Sequence, residues 1–297
     1  MEQRAAAAQG SGAQGSGGRG PDEDAARGGA AALPRTTTEG PGPGAPVVVL
    51  LHAFPLDRSM WDDVVPLLSP RCRVLAVDLP GLGEAAVPDR EPDLEVAVDG
   101  VLALLDEEEA ASAVLVGLST GGYVAAALAG RAPGRVAGLA LLSTTTRLGA
   151  PDEAGDRLAT AERVLGEDGL DAVMGSVEEG LSPGARESRP DLVERVSASI
   201  RRQRPEGVAW VCRALAARRD TTQALRALPG PVLLLFGELD GATPPDVRGA
   251  QMQRDRPDAD LVVVPGSGHL TALEAPRDVA DALLRLVDAA GAGAVGA

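Results

Sequence analysis

The sequence predicts an α/β protein, a doubly wound, mostly parallel sheet with an inserted helical cap. Three observations carry that prediction. Short apolar runs bounded by turn residues recur along the chain, helical patterns separate them, and one long stretch, residues 145–228, breaks the alternation. Uninterrupted apolar runs belong to strands covered on both faces, as in a parallel sheet, and alternation with helices gives right-handed crossovers.

Taken in order, residues 1–45 are dominated by Ala, Gly, Gln and Pro with nothing periodic to bury, and are expected to form a disordered tail. Strands are expected at Val47–Leu51, Val74–Val77, Ala113–Val116 and Val136–Leu142, with helices near Pro92–Glu109 and Gly121–Arg131. These make a first core part, residues 46–144. The stretch 145–228 offers amphipathic helical patterns and no strand, and it is too long to be a loop. It is read as a cap over the carboxyl edge of the sheet. Within it Val208, Trp210, Val211 and Leu215 form an apolar stripe, which either packs the cap upon itself or presents Trp210 to a substrate. A second core part, residues 229–290, holds strands at Val232–Phe236 and Leu261–Val264 and helices near Pro245–Arg254 and Pro276–Asp288. Residues 291–297 are expected to be a flexible tail.

Composition narrows the function. The 297-residue chain has 28 basic and 43 acidic residues, a net charge of −15, and all its basic residues other than histidine are arginine. No basic stripe offers itself to nucleic acid or an anionic membrane, so neither is expected as a partner. No apolar stretch approaches the ~18 residues of a membrane span, and no basic-then-apolar leader opens the chain. A cytoplasmic location is expected. Cys72 and Cys212 match no metal or redox spacing and are expected as free thiols.

The chemistry concentrates in Gly117-Leu118-Ser119-Thr120-Gly121-Gly122, a G-x-S-x-G turn between a strand and a helix of small residues. Such a turn must be sharp for the serine oxygen to stand clear of the sheet, and the glycines let neighbouring backbones pass. Ser119 is the candidate nucleophile. The chain has two histidines, His52 and His269. On this kind of turn the serine is followed by an acid and then the histidine, which selects His269. Between them, the run Pro231 to Phe236 ends in Gly237-Glu238-Leu239-Asp240, and Asp240 is assigned as the acid, with Glu238 and Asp246 as neighbouring carboxylates. Asp78, before Pro80-Gly81-Leu82-Gly83, invites a phosphate-loop reading, but no phosphate-binding glycine pattern follows a strand and lysine is lacking.

Leu51-His52-Ala53-Phe54-Pro55, Asp78-Leu79-Pro80-Gly81-Leu82-Gly83, the Ser119 turn, Phe236-Gly237-Glu238-Leu239-Asp240 and Pro265-Gly266-Ser267-Gly268-His269 stand in the order seen in α/β-hydrolases. Over residues 46–290 the chain resembles that family, and within it the small capped esterases and lactonases such as 3-oxoadipate enol-lactonase-like enzymes. The resemblance implies a cofactor-independent serine hydrolase of a small carboxylic ester or lactone, with no metal, working through an acyl-enzyme. It implies oxyanion donors at the backbone N–H groups of Thr120 and Phe54, a structural role for His52, and reactions other than those of related dehalogenases and epoxide hydrolases, which carry aspartate at the position of Ser119. Carbon–carbon bond hydrolysis or perhydrolysis with the same three residues is the alternative reaction. A ligand-binding protein that has kept the scaffold is the alternative class. Two departures stand out: Ala53 where the family more often has glycine, and no clear hairpin ahead of Val47.

Overall fold

The computed structural model describes residues 32–150 and 152–294. The apolar runs become β2 (Val47–Leu51), β3 (Arg73–Val77), β4 (Ala113–Leu118), β5 (Val136–Leu142), β6 (Val232–Gly237) and β7 (Asp260–Val264), preceded by a short β1 (Arg35–Thr37). They form one sheet in the order β1-β3-β2-β4-β5-β6-β7. β2 to β7 are parallel to their neighbours, whereas β1 runs antiparallel to β3 with Arg35 opposite Val77. The central strands are buried almost end to end because helices cover both faces of the sheet.

Before the insertion come α1 (Val65–Leu68), α2 (Glu95–Glu107) and α3 (Thr120–Arg131). The insertion supplies α4 (Glu153–Leu165), α5 (Ser176–Gly180), α6 (Pro183–Ser188), α7 (Pro190–Arg201) and α8 (Pro205–Ala216). The chain then forms α9 (Thr222–Ala227), α10 (Ala250–Asp255), α11 (Thr271–Glu274) and α12 (Pro276–Ala294). In the insertion α4 packs on α8, while α9, which the sequence grouped with the cap, packs on α3 and α10 of the core.

Two boundaries move. Of the expected tail 1–45, residues 1–31 lie outside the described residues, but Leu33 is buried and Arg35–Thr37 adds an edge strand to β3. Three residues are too few to show a period of two. Their stability comes from partners distant in sequence: Arg35 pairs with Glu107 and Glu108 at the end of α2, and the Asp78 N–H donates to the Pro34 carbonyl at 2.9 Å. At the other end α12 continues through Ala294, so residues 291–294 are helical rather than a flexible tail. The turn holds glycines and alanines but no proline, so no residue there breaks the helix outright.

The insertion is fastened to the core through buried polar groups. Asp57, just after the β2 loop, accepts from Ser199 at 2.9 Å and pairs with Arg202, both at the end of α7. Gln203 accepts from the Gly83 N–H at 2.8 Å, and Arg204 donates to the Ala85 carbonyl. A Cβ on Gly207 would collide with the Gly81 carbonyl, so the backbone of α8 rests directly on the 78–84 loop. Trp210 is buried, and its indole N–H donates to the Arg90 carbonyl at 3.0 Å.

Candidate active site

β2 and β4 are neighbours, but the chain leaves β2 for β3 on one side and returns to β4 on the other. Such a switch point opens a crevice at the carboxyl ends of the strands, where ligands collect. The β2 loop with His52 and Phe54 and the β4 turn with Ser119 meet there.

Ser119 sits at φ 53°, ψ −112°, a conformation L-residues rarely adopt. The neighbours over-determine it. The Ser119 N–H donates to the Leu142 carbonyl at 2.9 Å, and its own carbonyl accepts from the Thr144 hydroxyl at 2.9 Å. A Cβ at Gly117 would collide with the Gly121 carbonyl, and one at Gly121 with the Leu51 carbonyl, so both glycines of the turn are sterically required. Thr120 begins α3, where an N–H has no intrahelical acceptor. Among the described residues neither the Thr120 nor the Phe54 N–H is taken by a protein acceptor.

The loops after β6 and β7 are zipped together by hydrogen bonds from Glu238 N–H to Val264 O at 2.9 Å and Leu239 N–H to Ser267 O at 2.8 Å. This sets Asp240 beside His269, whose Nδ1–H faces both carboxylate oxygens at 3.0 Å. Among the described residues Nε2 has no hydrogen-bond partner. Asp240 also accepts from the Thr243 N–H at 2.8 Å, the Thr243 hydroxyl at 2.6 Å and the Ala242 N–H at 3.0 Å. Burial pushes its pKa up, but the hydrogen bond and charge of His269, with the Thr243 hydrogen bonds, outweigh that and hold it at about 2. Of the other two carboxylates near it, Glu238 accepts from the Gly266 N–H and is exposed, and Asp246 is exposed. Glu274 accepts from the N–H groups of Gly268 and Ser182 at 2.9 and 3.1 Å and from the Ser182 hydroxyl at 2.6 Å, tying the His269 loop to the cap.

Ser119, Thr120, Phe54 and His269 line one cavity of about 290 Å³, roofed by residues of α4, α5 and α7. No hydrogen bond joins Ser119 to His269 among the described residues; such bonds are often long without substrate and tighten in the reacting complex. Trp210 is not among the residues lining this cavity, and its indole N–H is taken by the Arg90 carbonyl. The sequence reading missed Thr243, Tyr123 and three cavity arginines, Arg157, Arg218 and Arg248. Tyr123 had a signal, being the single tyrosine and four residues beyond Ser119 on the helix of the turn. The arginines had none in a chain so rich in them.

His52 has a different environment. It is fully buried, accepts the Leu79 N–H on Nε2 at 2.9 Å, and donates from Nδ1 to the Ala53 carbonyl at 2.9 Å. Burial pushes its pKa below the ordinary 6.5, against the Ala53 hydrogen bond and Asp78. Asp78 itself is buried, paired with Arg58 and capped by the Arg58 and Glu84 N–H groups at 2.8 and 2.9 Å, a loop-organising role.

The alpha/beta hydrolase family model matches residues 48–282 of this chain. The chain belongs to that family. A malate-bound thermophilic esterase from Thermogutta terrifontis is similar in structure, with TM-score 0.80 and 35% identity over 86% of this chain and 93% of that one. The enol-lactonase from Burkholderia xenovorans LB400 gives TM-score 0.78 and 26% identity, covering 86% and 96%. Among sequence relatives, the dihydrolipoyllysine-residue acetyltransferase component of an acetoin cleaving system from Pseudomonas putida is 33% identical over 253 residues. That match covers 82% of this chain, and the hydrolase spans 64% of that protein's length, less than two thirds. The fold and the hydrolase class expected from the motifs are thus met, with esterase and lactonase relatives. Among the described residues no helix is long and apolar enough to cross a membrane. Cys72 and Cys212 are free and buried, and burial pushes the Cys212 thiol up to about 11.

Proposed function

We propose that this hydrolase cleaves a small carboxylic ester or lactone through an acyl-enzyme formed on Ser119. The observation that carries the reading is the Asp240–His269 pair opening onto the cavity that also contains Ser119. His269 Nε2 takes the Ser119 proton as the oxygen attacks the substrate carbonyl, and Asp240 holds the tautomer and stabilises the imidazolium that forms. The unpartnered N–H groups of Phe54 and Thr120 bind the oxyanion. The imidazolium then protonates the leaving alkoxide. Water, deprotonated by the same nitrogen, releases the acid and restores Ser119.

The cavity volume suits a small substrate, and the esterase and enol-lactonase relatives favour ester and lactone bonds. The test combines a fluorophosphonate probe with a panel of short phenyl esters and enol-lactones. Covalent labelling at Ser119, located by peptide mass, and turnover of at least one panel member are expected. No labelling of folded protein together with no turnover would overturn the reading and favour a binding role for the scaffold.

A further inference from the structure

The cavity has three arginines against two carboxylates in its lining. Arg157 of α4, Arg218 between α8 and α9, and Arg248 after β6 all line it, around Tyr123. Arg218 is accounted for. Its side chain is 6% exposed, its guanidinium lies 4.5 Å from the centre of the Tyr123 ring, and it is held by the Arg147 carbonyl at 2.8 Å and by Glu153 at 3.3 Å. Arg157 stands over the Phe54 ring at 5.9 Å. Neither Arg157 nor Arg248 forms an ion pair or a side-chain hydrogen bond among the described residues, although most arginines of this acidic chain do. Both are half-buried. The one other carboxylate in the lining, Glu179, is solvent-exposed and pairs with neither.

Tyr123 reports the same convergence. Burial pushes its phenol up, while Arg218, Arg157 and Arg248 pull it down and Glu153 pushes it up. The fields of three guanidinium groups therefore meet at one point of the cavity wall, one turn of α3 beyond Ser119. Guanidinium groups that give up part of their hydration inside a cavity are best satisfied by an anion that accepts several N–H bonds at once.

We propose that Arg157 and Arg248 form an anion subsite, so that the preferred substrate is an ester or lactone carrying a free carboxylate, such as the monoester of a dicarboxylic acid. The inference rests on the hydrolase reading above and names its substrate class. With a chain charge of −15 the long-range field repels anions, so any preference for one must arise from this local pair.

The test compares monophenyl esters of succinic to pimelic acid with the matching phenyl methyl diesters, at low ionic strength, on the full-length protein. At the best-fitting length, kcat/KM should favour the free acid about 10- to 100-fold, the range for hydrogen bonds to a charged group, mainly through KM. Arg157→Gln and Arg248→Gln should each lower that preference several-fold or more, and the lysine variants should keep part of it. No preference in the native protein at any length, or a preference unmoved in both glutamine variants, overturns the proposal. If no ester is hydrolysed, the hydrolase reading fails separately. The subsite is then judged by calorimetry with glutarate: binding that the double glutamine variant loses supports it, and no binding or unchanged binding removes it.

Discussion

His52 and His269 each stand in a loop leaving a strand at the same edge of the sheet, one sealed into the core and one opening onto a cavity. In the β2 loop both ring nitrogens are consumed by main chain, the Leu79 N–H and the Ala53 carbonyl, and burial disfavours a second, charging proton on the ring. In the β7 loop one nitrogen faces a carboxylate while the other has no partner among the described residues, in a side chain 13% exposed. On the reading proposed above, the contrast names what equips an imidazole as a base: a nitrogen with no structural duty, and a fixed negative charge to stabilise the protonated ring.

The sharpest way to break this comparison is to replace each histidine with glutamine. His269→Gln should lower kcat/KM by about 10³-fold or more, as loss of a triad base does, while His52→Gln should lower it by less than about 10-fold. Equal losses in proteins shown by circular dichroism to be folded would erase the distinction.

Asp240→Asn should cost about 10³- to 10⁴-fold, because an amide leaves the ring in the wrong tautomer. It also tests the charge directly. The carboxyl pKa is lowered from 3.8 to about 2 in the fold, so its stabilising contribution is present above pH 3.8 and lost as pH falls through 2. The native protein should therefore lose about 2 kcal/mol across that window through this group, and the asparagine variant should lack that loss in urea midpoints.

A smaller effect belongs to His52. Its folded pKa lies below 6.5, so the unfolded chain takes up the proton first and stability falls as pH drops below that value. The slope from one such group is at most about 1.4 kcal/mol per pH unit. In His52→Gln the stability profile between pH 6.5 and 5 should be flatter than in the native protein. An unchanged slope would mean that His52 is not the group responsible.

Smallest of all should be the removal of residues 1–31, expected to leave the Tm within about 2 °C, under 1 kcal/mol for a chain this size. Deleting through Thr38 instead removes Leu33, β1 and the Pro34 carbonyl that receives the Asp78 N–H, next to the Leu79 amide that fixes His52. A fall of more than about 5 °C is expected there. If the two deletions melt alike, β1 contributes nothing to the His52 side.

The sequence made the sheet legible because its strands are continuous apolar runs: Val232–Phe236 or Val136–Leu142 can hardly be anything else in an alternating chain. Ser119 and His269 were legible because they lie in glycine-rich turns whose steric demands leave a mark in the sequence. Asp240 was harder, standing near two other carboxylates, and what singles it out is the Thr243 and Ala242 hydrogen bonding that spacing does not reveal. β1 and the cavity arginines were invisible for one reason. Their roles depend on partners far away in the chain, Glu108 for Arg35 and the Tyr123 ring for Arg218. Trp210 stayed ambiguous in the sequence because an apolar stripe looks the same whether it faces a ligand or the Arg90 loop.

The φ of 53° at Ser119 has a practical consequence. A non-glycine residue held in that region costs the fold on the order of 1–3 kcal/mol, a load that glycine would relieve. Directed evolution of this chain for heat resistance alone would therefore find glycine at 119 an easy gain and, with Ser119 the proposed nucleophile, arrive at a robust but inert scaffold. Any such campaign has to screen turnover and melting in the same round.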